Sequence, residues 1–319
     1  MQKQISQKTN IGYIVSEYGA IIAFFLLFGV NILITNNFLS IRTVWNILTQ
    51  AATSILLGLG MTVVIATGGI NISVGSGMAL TAMVSAIFIS KGNIALGLFL
   101  GLMVGILFGI ITGFIVIKMK IQPMIVSLSM MFVMRGIAKL INDGRVMSYK
   151  NKAFTNFFFE NLFGKIPVRI VIWVIMALLL WILLSKTRYG SFIEAYGDNP
   201  NATYISGINV VLVVTVAYVI CNVFSFAAGI IEAGYATTVD PGSMGVTKEM
   251  DAIAATVVGG TSISGGKPKV WGTVFGALAL QLITIMVNMN NIPVPYARII
   301  KAGIIIGAIC LRRLRDNRN

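Results

Sequence analysis

Histidine, cysteine and charged residues are all scarce in this chain. Its 319 residues include no histidine, two cysteines and ten acidic residues, and charged residues make up only 11% of it, against 57% apolar residues. Soluble domains carry about 25% charged and about 45–50% apolar residues. Too few charges remain to cover such a core in water, so lipid must solvate part of the surface, which restricts the chain to helices or a closed barrel. Because the apolar stretches are continuous and longer than the roughly 10-residue alternating strands of a barrel, the sequence predicts an all-α polytopic membrane protein.

The missing histidine removes the commonest metal ligand and the commonest proton shuttle. Cys221 and Cys310 lie in apolar segments, which is typical of packed side chains rather than of a disulfide or a metal site. The run Gly265-Gly266-Lys267-Pro268 is not a phosphate loop, because that motif needs Ser or Thr after the lysine. No nucleophile–base pair can be assembled. The sequence therefore predicts no enzyme, no cofactor and no metal site.

Ten apolar segments are candidates for membrane spans, since a helix needs about 20 apolar residues to cross the hydrocarbon core. The segment over 250–263 is short and flanked by glycine, so it is expected to dip into the bilayer. The polar start with Lys3 and Lys8 has no A-x-A-like cleavage site after it, which favours a retained first span over a signal peptide. We expect one membrane domain over residues 1–319, and its predicted spans are 18–35, 44–67, 72–90, 94–117, 121–141, 168–184, 210–232, 250–263, 270–289 and 296–311.

The basic residues give an orientation. With ten spans, both termini and the pairs Lys118/Lys120, Lys186/Arg188 and Lys267/Lys269 fall on one side, which the positive-inside rule assigns to the cytoplasm. The exception is the loop over 143–167, whose Arg145, Lys150, Lys152 and Lys165 fall outside. We predict about ten transmembrane helices with both termini cytoplasmic, with eight or nine as the alternative. The net charge of +14 thus follows membrane topology and predicts no nucleic-acid partner.

Two glycine-rich breaks interrupt the apolar pattern. Residues 68–75 and 259–266 share the pattern G-G-x-x-I-S-x-G. Broken backbone at membrane depth is tolerated only where protein or a water-filled cavity satisfies it, and such breaks often mark transporter binding sites. One interpretation is a solute pathway with neutral hydrogen-bonding groups, and the alternative is a pair of simple turns. The candidate pathway residues are Asn71, Ser73, Thr261, Ser262 and Ser264.

Ion coupling receives little support from the acidic residues, because Glu232 and Asp251 are the only credible ones inside spans. Arg135 and Lys139 lie one turn apart in the outer half of a span, and snorkelling toward the headgroups would explain them. Glycines at 101, 105, 109 and 113 line one helix face, which favours close helix packing over a pore-lining face.

The polar connection over 186–209 has a sequence unlike a plain linker, including Glu194-Ala195-Tyr196-Gly197. Together with Gly69-Ile70-Asn71-Ile72-Ser73-Val74-Gly75, and with Met250-Asp251-Ala252-Ile253-Ala254-Ala255 running into Gly259-Gly260-Thr261-Ser262, it resembles the permease subunits of bacterial monosaccharide ABC importers of the ribose/xylose/galactose type. The resemblance covers nearly the whole chain. The chain departs from the family at Asn71, where Asp is usual, and at Ser191, where Arg is common.

The resemblance implies a multi-pass permease domain in the bacterial cytoplasmic membrane that works with other subunits. These are cytosolic ABC ATPase subunits, an extracytoplasmic solute-binding protein and a second permease copy, as a homodimer or, less favoured, a heterodimer. The loop over 186–209 would dock into the ATPase, through Tyr189, Gly190, Glu194, Ala195, Gly197, Asn199 and Gly207. An ion-coupled secondary transporter and a channel are the alternatives.

Overall fold

The computed structural model describes residues 19–35, 38–162, 164–293, 295–296 and 299–303. Helices dominate this part of the chain, and two short antiparallel strand pairs, β1 with β4 and β2 with β3, lie in the connections. In chain order the elements are α1 Gly19–Ile34, α2 Ile41–Gln50, α3 Ala52–Ala66, α4 Val74–Ile89, α5 Ile94–Lys118, α6 Pro123–Leu140, β1 Met147–Ser148, α7 Lys152–Phe159, β2 Asn161–Leu162, β3 Ile166–Pro167, α8 Val168–Lys186, α9 Arg188–Asp198, α10 Pro200–Ile205, α11 Val210–Ala236, β4 Thr238–Val239, α12 Lys248–Val258 and α13 Val270–Met289.

Among the described residues, five helices are long and apolar enough to cross a membrane, namely α5, α6, α8, α11 and α13. The predicted span over 44–67 is instead a pair, α2 and α3, bent by 42°, and α1 and α4 are shorter apolar helices. The prediction of an all-α polytopic membrane protein is confirmed. The count of ten and the position of the termini stay predictions, because residues 1–18 and 304–319 and most of the span predicted over 296–311 lie outside the described residues.

Helix α3 is the centre of the bundle, since all fifteen of its residues are buried. A helix that is apolar all round lies in a protein core or in lipid, and burial places both α3 and the similarly apolar α4 in the protein interior. Polar contacts fix α3 to its neighbours: the hydroxyls of Thr62 and Thr273 are 2.6 Å apart, and the Thr256 hydroxyl donates to the Gly58 carbonyl at 3.0 Å.

The glycine stripe of α5 allows the close packing that the sequence favours. A Cβ at Gly109 would lie 2.6 Å from the Cα of Val219, and one at Gly113 would lie 2.6 Å from the Cα of Thr215. Both neighbours belong to α11. Small residues thus let two membrane helices touch backbone to backbone.

The bundle has two ends, named here by the elements they carry. At the α9 end, Gly190 and Gly197 of α9 pack against the last residues of α8 and α3. At the β1 end, Ser90 donates to the Ser148 carbonyl at 2.9 Å, and β1 pairs with β4 just beyond α11. The spanning helices alternate between these ends along the chain.

Candidate functional site

The first break, residues 68–75, is a buried and internally bonded segment. Asn71 and Ser73 are both fully inaccessible to solvent. The Asn71 Oδ1 accepts hydrogen bonds from the Ser73 hydroxyl at 2.7 Å and the Ser73 amide at 3.2 Å, while its Nδ2 lies 3.4 Å from the Cys221 Sγ. Helix α4 begins directly after this turn, inside the bundle. The first break therefore places the start of a helix within the protein.

A segment that the sequence reasoning missed crosses this helix start. The turns over 240–247 connect β4 to α12, and their Gly245 packs against Gly75 in the first turn of α4. A Cβ on Gly75 would overlap the Gly245 carbonyl oxygen, and a Cβ on Gly245 would overlap the Gly75 carbonyl oxygen. Gly245 also has a φ of 72°, a conformation that favours glycine. In the sequence, Pro241-Gly242 and Gly245 are the residues that indicate a third break.

Arg135 holds this segment in place. Its Nη1 donates to the Pro241 carbonyl at 3.0 Å and to the Met244 carbonyl at 2.6 Å. Snorkelling toward the headgroups therefore does not describe Arg135, whose guanidinium points into the protein. A charged donor satisfies two carbonyls that the irregular backbone leaves without helix partners.

Two acidic groups near the start of α12, Glu232 and Asp251, are paired with lysines. Asp251 contacts Lys301 at 3.2 Å, and Glu232 lies 4.0 Å from Lys248. Asp251 lies in the first turn of α12, where the helix dipole favours negative charge. These pairings give both acids a structural role.

The second break lies at the α9 end. Thr261 is fully buried and its hydroxyl accepts from the Lys269 amide at 3.1 Å, whereas Ser262 is half-buried and Ser264 is exposed. The five predicted pathway residues therefore do not line one common surface in this conformation.

The two breaks nevertheless touch each other. The Gly266 amide donates to the Ala66 carbonyl at 2.9 Å, and a Cβ on Gly68 would lie 3.6 Å from the Ser264 carbonyl oxygen. The structure brings them together at the α9 end.

Helix α9 packs against the contact between the two breaks. A Cβ on Gly197 would overlap both the Ala66 carbonyl oxygen and the Gly266 amide nitrogen, and a Cβ on Gly265 would lie 2.7 Å from the Gly197 carbonyl oxygen. Only a residue without a side chain fits at Gly197. The last turn of α9 thus contacts the second break and the end of α3, directly before the first break, and we call this contact the glycine junction.

The rest of the predicted coupling loop builds α9 and α10. The Tyr189 hydroxyl donates to the Val213 carbonyl at 3.0 Å, and burial raises the pKa of this phenol and of Tyr196. A Cβ on Gly190 would overlap the Leu184 carbonyl. Both contacts fix α9 to the neighbouring spans.

Two more predicted residues shape the connection to α11. The Asn199 side chain caps α10 by accepting from the Ala202 amide at 3.0 Å, and Gly207 ends the turn with a φ of 80°. The sequence reasoning missed Tyr204 and Ile205, which are 70% and 83% exposed at the tip of α10. Two large apolar side chains exposed side by side are typical of a protein contact.

Glu194 and Ala195 are half-buried in the middle of α9. Glu194 lines a cleft of about 510 Å³ together with Ser191, Trp181 and Lys267. Among the described residues no group of three His, Cys, Asp or Glu side chains could hold a metal ion.

Known proteins similar to this chain are membrane permeases. A family model described as branched-chain amino acid transport system / permease component matches residues 43–309. The chain is 36% identical over 304 residues to a ribose import permease protein of Escherichia coli (strain K12), covering 92% of each chain. It is 34% identical over 322 residues to a ribose import permease protein of Bacillus subtilis (strain 168), covering 99% of this chain and 98% of the relative.

A galactofuranose transporter permease protein of Escherichia coli (strain K12) is 32% identical over 271 residues, covering 85% of this chain and 79% of the relative. No solved structure matches the chain. The family match covers most of the chain, including most of the helices described above. This protein therefore belongs to the family of the branched-chain amino acid transport system permease components.

Proposed function

We propose that this chain is the permease subunit of an ATP-binding-cassette importer that carries a sugar-like solute across the bacterial cytoplasmic membrane. The names of the similar permeases, which refer to import of ribose and transport of galactofuranose, support a monosaccharide or a close relative as the solute. The observation that carries the mechanism is the glycine junction, because it connects a polar loop outside the bundle to the second break and to the end of α3, directly before the first break.

In this proposal the ATPase subunit docks at the α9 end, which faces the cytoplasm. The exposed Tyr204 and Ile205 supply the apolar contact with the ATPase. Helix α9, which precedes them in the chain, transmits the movement of the ATPase to the bundle. Because Gly197 touches the backbone of Ala66 at the end of α3 and of Gly266 in the second break, a displacement of α9 shifts the end of α3 and the loop after α12 together. Packed backbone of this kind moves as a unit, so the movement of the ATPase would reach the solute path.

The solute path includes Asn71, Ser73, Thr261, Ser262 and Ser264 together with the crossing of Gly75 and Gly245. Their hydroxyl, amide and carbonyl groups suit the hydroxyls of a sugar, and neutral groups suffice because the solute has no charge. Asn71 and Ser73 are bonded to each other in this conformation, so the solute replaces these contacts when the packed start of α4 opens.

The assembly contains two permease copies, ATPase subunits in the cytoplasm and a solute-binding protein at the β1 end.

The alternatives to this function are an ion-coupled transporter and a channel. The lysine partners of Glu232 and Asp251 argue against ion coupling, because a coupling acid must be free to bind and release its ion.

The test is reconstitution of the chain with its ATPase and binding protein in proteoliposomes. We expect sugar uptake that requires ATP and survives collapse of the ion gradients. Uptake that needs a gradient and ignores ATP would make the chain a secondary transporter, and uptake without either would make it a channel.

The docking step is tested separately with Tyr204→Ala and Ile205→Asp. Both variants change exposed side chains, so the permease should fold normally while its copurification with the ATPase falls at least about five-fold, since a contact residue of this kind contributes more than about 1 kcal/mol. Asn201→Ala, exposed on the same short helix, is the matched control. Full copurification of both variants would place the ATPase elsewhere.

A further inference from the structure

A deep apolar cavity opens near the β1 end, away from both breaks. Its volume is about 590 Å³, and every residue around it is apolar, among them Leu98, Leu102, Phe157, Ile172, Ala227 and Ile231. This volume is in the range of small-molecule sites, which is roughly 300–1,000 Å³. A sugar would find no hydrogen-bonding side chain there.

The cavity extends along the membrane-spanning helices. It is lined by α5 from Ile94 to Leu102, which corresponds to about 12 Å at a rise of roughly 1.5 Å per residue. Ile172 lies near the start of α8, at the same end of the bundle. With the α9 end facing the cytoplasm, as proposed above, the cavity lies at the depth of the acyl chains in the outer leaflet and is elongated in their direction.

Helix α7 lies across the cavity at the level of the lipid headgroups. Its Phe154 and Phe158 are buried against the protein, while Phe157 is 47% exposed and lines the cavity. A short helix with an apolar face and a polar face lies in the plane of the interface between lipid and water. Lipid chains thus reach the cavity beside α7.

The charges around α7 favour an anionic headgroup. Residues 143–169 contain five basic and two acidic side chains, although the positive-inside rule disfavours basic residues in an external loop. Lys150, Lys152 and Lys165 are exposed. The two acids, Asp143 and Glu160, are exposed as well, so the segment keeps a net positive charge.

Arg169 lies one helical turn above Ile172, between the cavity and the headgroup level. Its guanidinium lies 3.8 Å from the centre of the Tyr235 ring, and its Nε is buried with no hydrogen-bond partner among the described residues. The guanidinium as a whole is only half-buried, and a cation there can form charge-assisted hydrogen bonds to a phosphate.

We propose that this cavity binds one acyl chain of an anionic phospholipid of the outer leaflet, with the phosphate held by Arg169 and the lysines of the α7 segment. The basic side chains and the apolar cavity are both explained by an anionic lipid. An acidic protein partner would explain the lysines but would not fill an apolar cavity at membrane depth. The lipid would fix α7 against α5, α8 and α11.

The experiment uses the full-length protein, purified in detergent, delipidated and incubated with dioleoyl phosphatidylglycerol or dioleoyl phosphatidylcholine. Native mass spectrometry counts the lipids that remain bound. We expect one retained phosphatidylglycerol per chain and a preference over phosphatidylcholine of at least about five-fold, the contribution of one basic side chain near a charged lipid surface.

Two sets of variants separate the acyl chain from the headgroup. Ala227→Trp fills the cavity and should abolish retention of both lipids, while Phe132→Trp on the exposed face of α6 should not. The triple change Lys150→Gln, Lys152→Gln and Lys165→Gln alters only exposed side chains, so the protein should fold and lose the preference for phosphatidylglycerol. The triple change Lys118→Gln, Lys120→Gln and Lys186→Gln at the α9 end is the matched charge control.

Three results would overturn the proposal. Ala227→Trp could retain phosphatidylglycerol like the unmodified chain, or the unmodified chain could bind both lipids equally. The third is that the α7 triple variant keeps its lipid preference but no longer binds the solute-binding protein, which would make the basic loop a protein-docking surface.

Discussion

The two glycine-rich breaks share a sequence pattern but have opposite surroundings. The first is buried in the bundle, closed by the bonds between Asn71 and Ser73 and crossed by Gly245. The second lies at the α9 end with Ser264 exposed, and it is tied to the first by the bond from Gly266 to Ala66. The shared pattern predicts where a helix ends. The surrounding residues determine whether that break is buried and crossed by another segment or lies at the surface.

Gly75→Ala should have a large effect, because the added Cβ overlaps the Gly245 carbonyl. Overpacking of this kind costs about 1–3 kcal/mol, although alanine is otherwise the better helix former by up to about 1 kcal/mol. Thermal unfolding in detergent measures the change. The control is Gly136→Ala on α6, where the new Cβ meets nothing within 4 Å, and equal melting temperatures for the two variants would refute the close crossing.

Arg135→Met should destabilise the interior crossing without touching the second break. It removes the donor to the Pro241 and Met244 carbonyls, and hydrogen bonds to a charged group contribute about 1.5–3 kcal/mol. Limited proteolysis should show faster cleavage within residues 240–247. Lys139→Met, exposed one turn further along the same helix, should cleave like the unmodified chain.

Asn71→Ala should cost about 1–3 kcal/mol, since the buried amide of Ser73 loses its acceptor. The melting temperature measures the loss. Asn71→Asp keeps an acceptor oxygen at the same place and should recover part of the stability. If both variants melt alike, the contact with Ser73 contributes nothing.

Ser264→Ala should have the smallest effect on stability, within about 0.5 kcal/mol, because the side chain is exposed. If this hydroxyl lies on the solute path, the KM for uptake should rise about two- to ten-fold, the loss expected for one hydrogen bond of about 0.5–1.5 kcal/mol. An unchanged KM would remove Ser264 from the path and leave the second break a surface contact only.

Much of this fold could be predicted from hydropathy, because lipid forces long apolar runs into helices. The positions of α5, α8, α11 and α13 follow the predicted spans within a few residues. The bend at Ala51 was missed, although the polar Thr49 and Gln50 interrupt the apolar run from residue 44 to 67 directly before it.

The site was less predictable, because it depends on which backbones meet. Gly197 was recognised through its family resemblance, yet its contact with Ala66 and Gly266 joins three distant parts of the chain. The crossing at Gly245 was overlooked because residues 240–247 read as an ordinary loop between spans. Tyr204 and Ile205 were overlooked because apolar side chains in a membrane protein carry no signal until their exposure is known.

The most direct test of coupling through the glycine junction is uptake by the Gly197→Ala variant, reconstituted with its ATPase and binding protein. The added Cβ overlaps the Ala66 carbonyl and the Gly266 amide, so α9 must move away from the end of α3 and from the second break. Copurification with the ATPase and the rate of ATP hydrolysis report whether the complex still assembles. We predict an assembled complex that hydrolyses ATP but takes up no sugar. ATP-driven uptake at the rate of the unmodified protein would contradict a coupling role for the glycine junction.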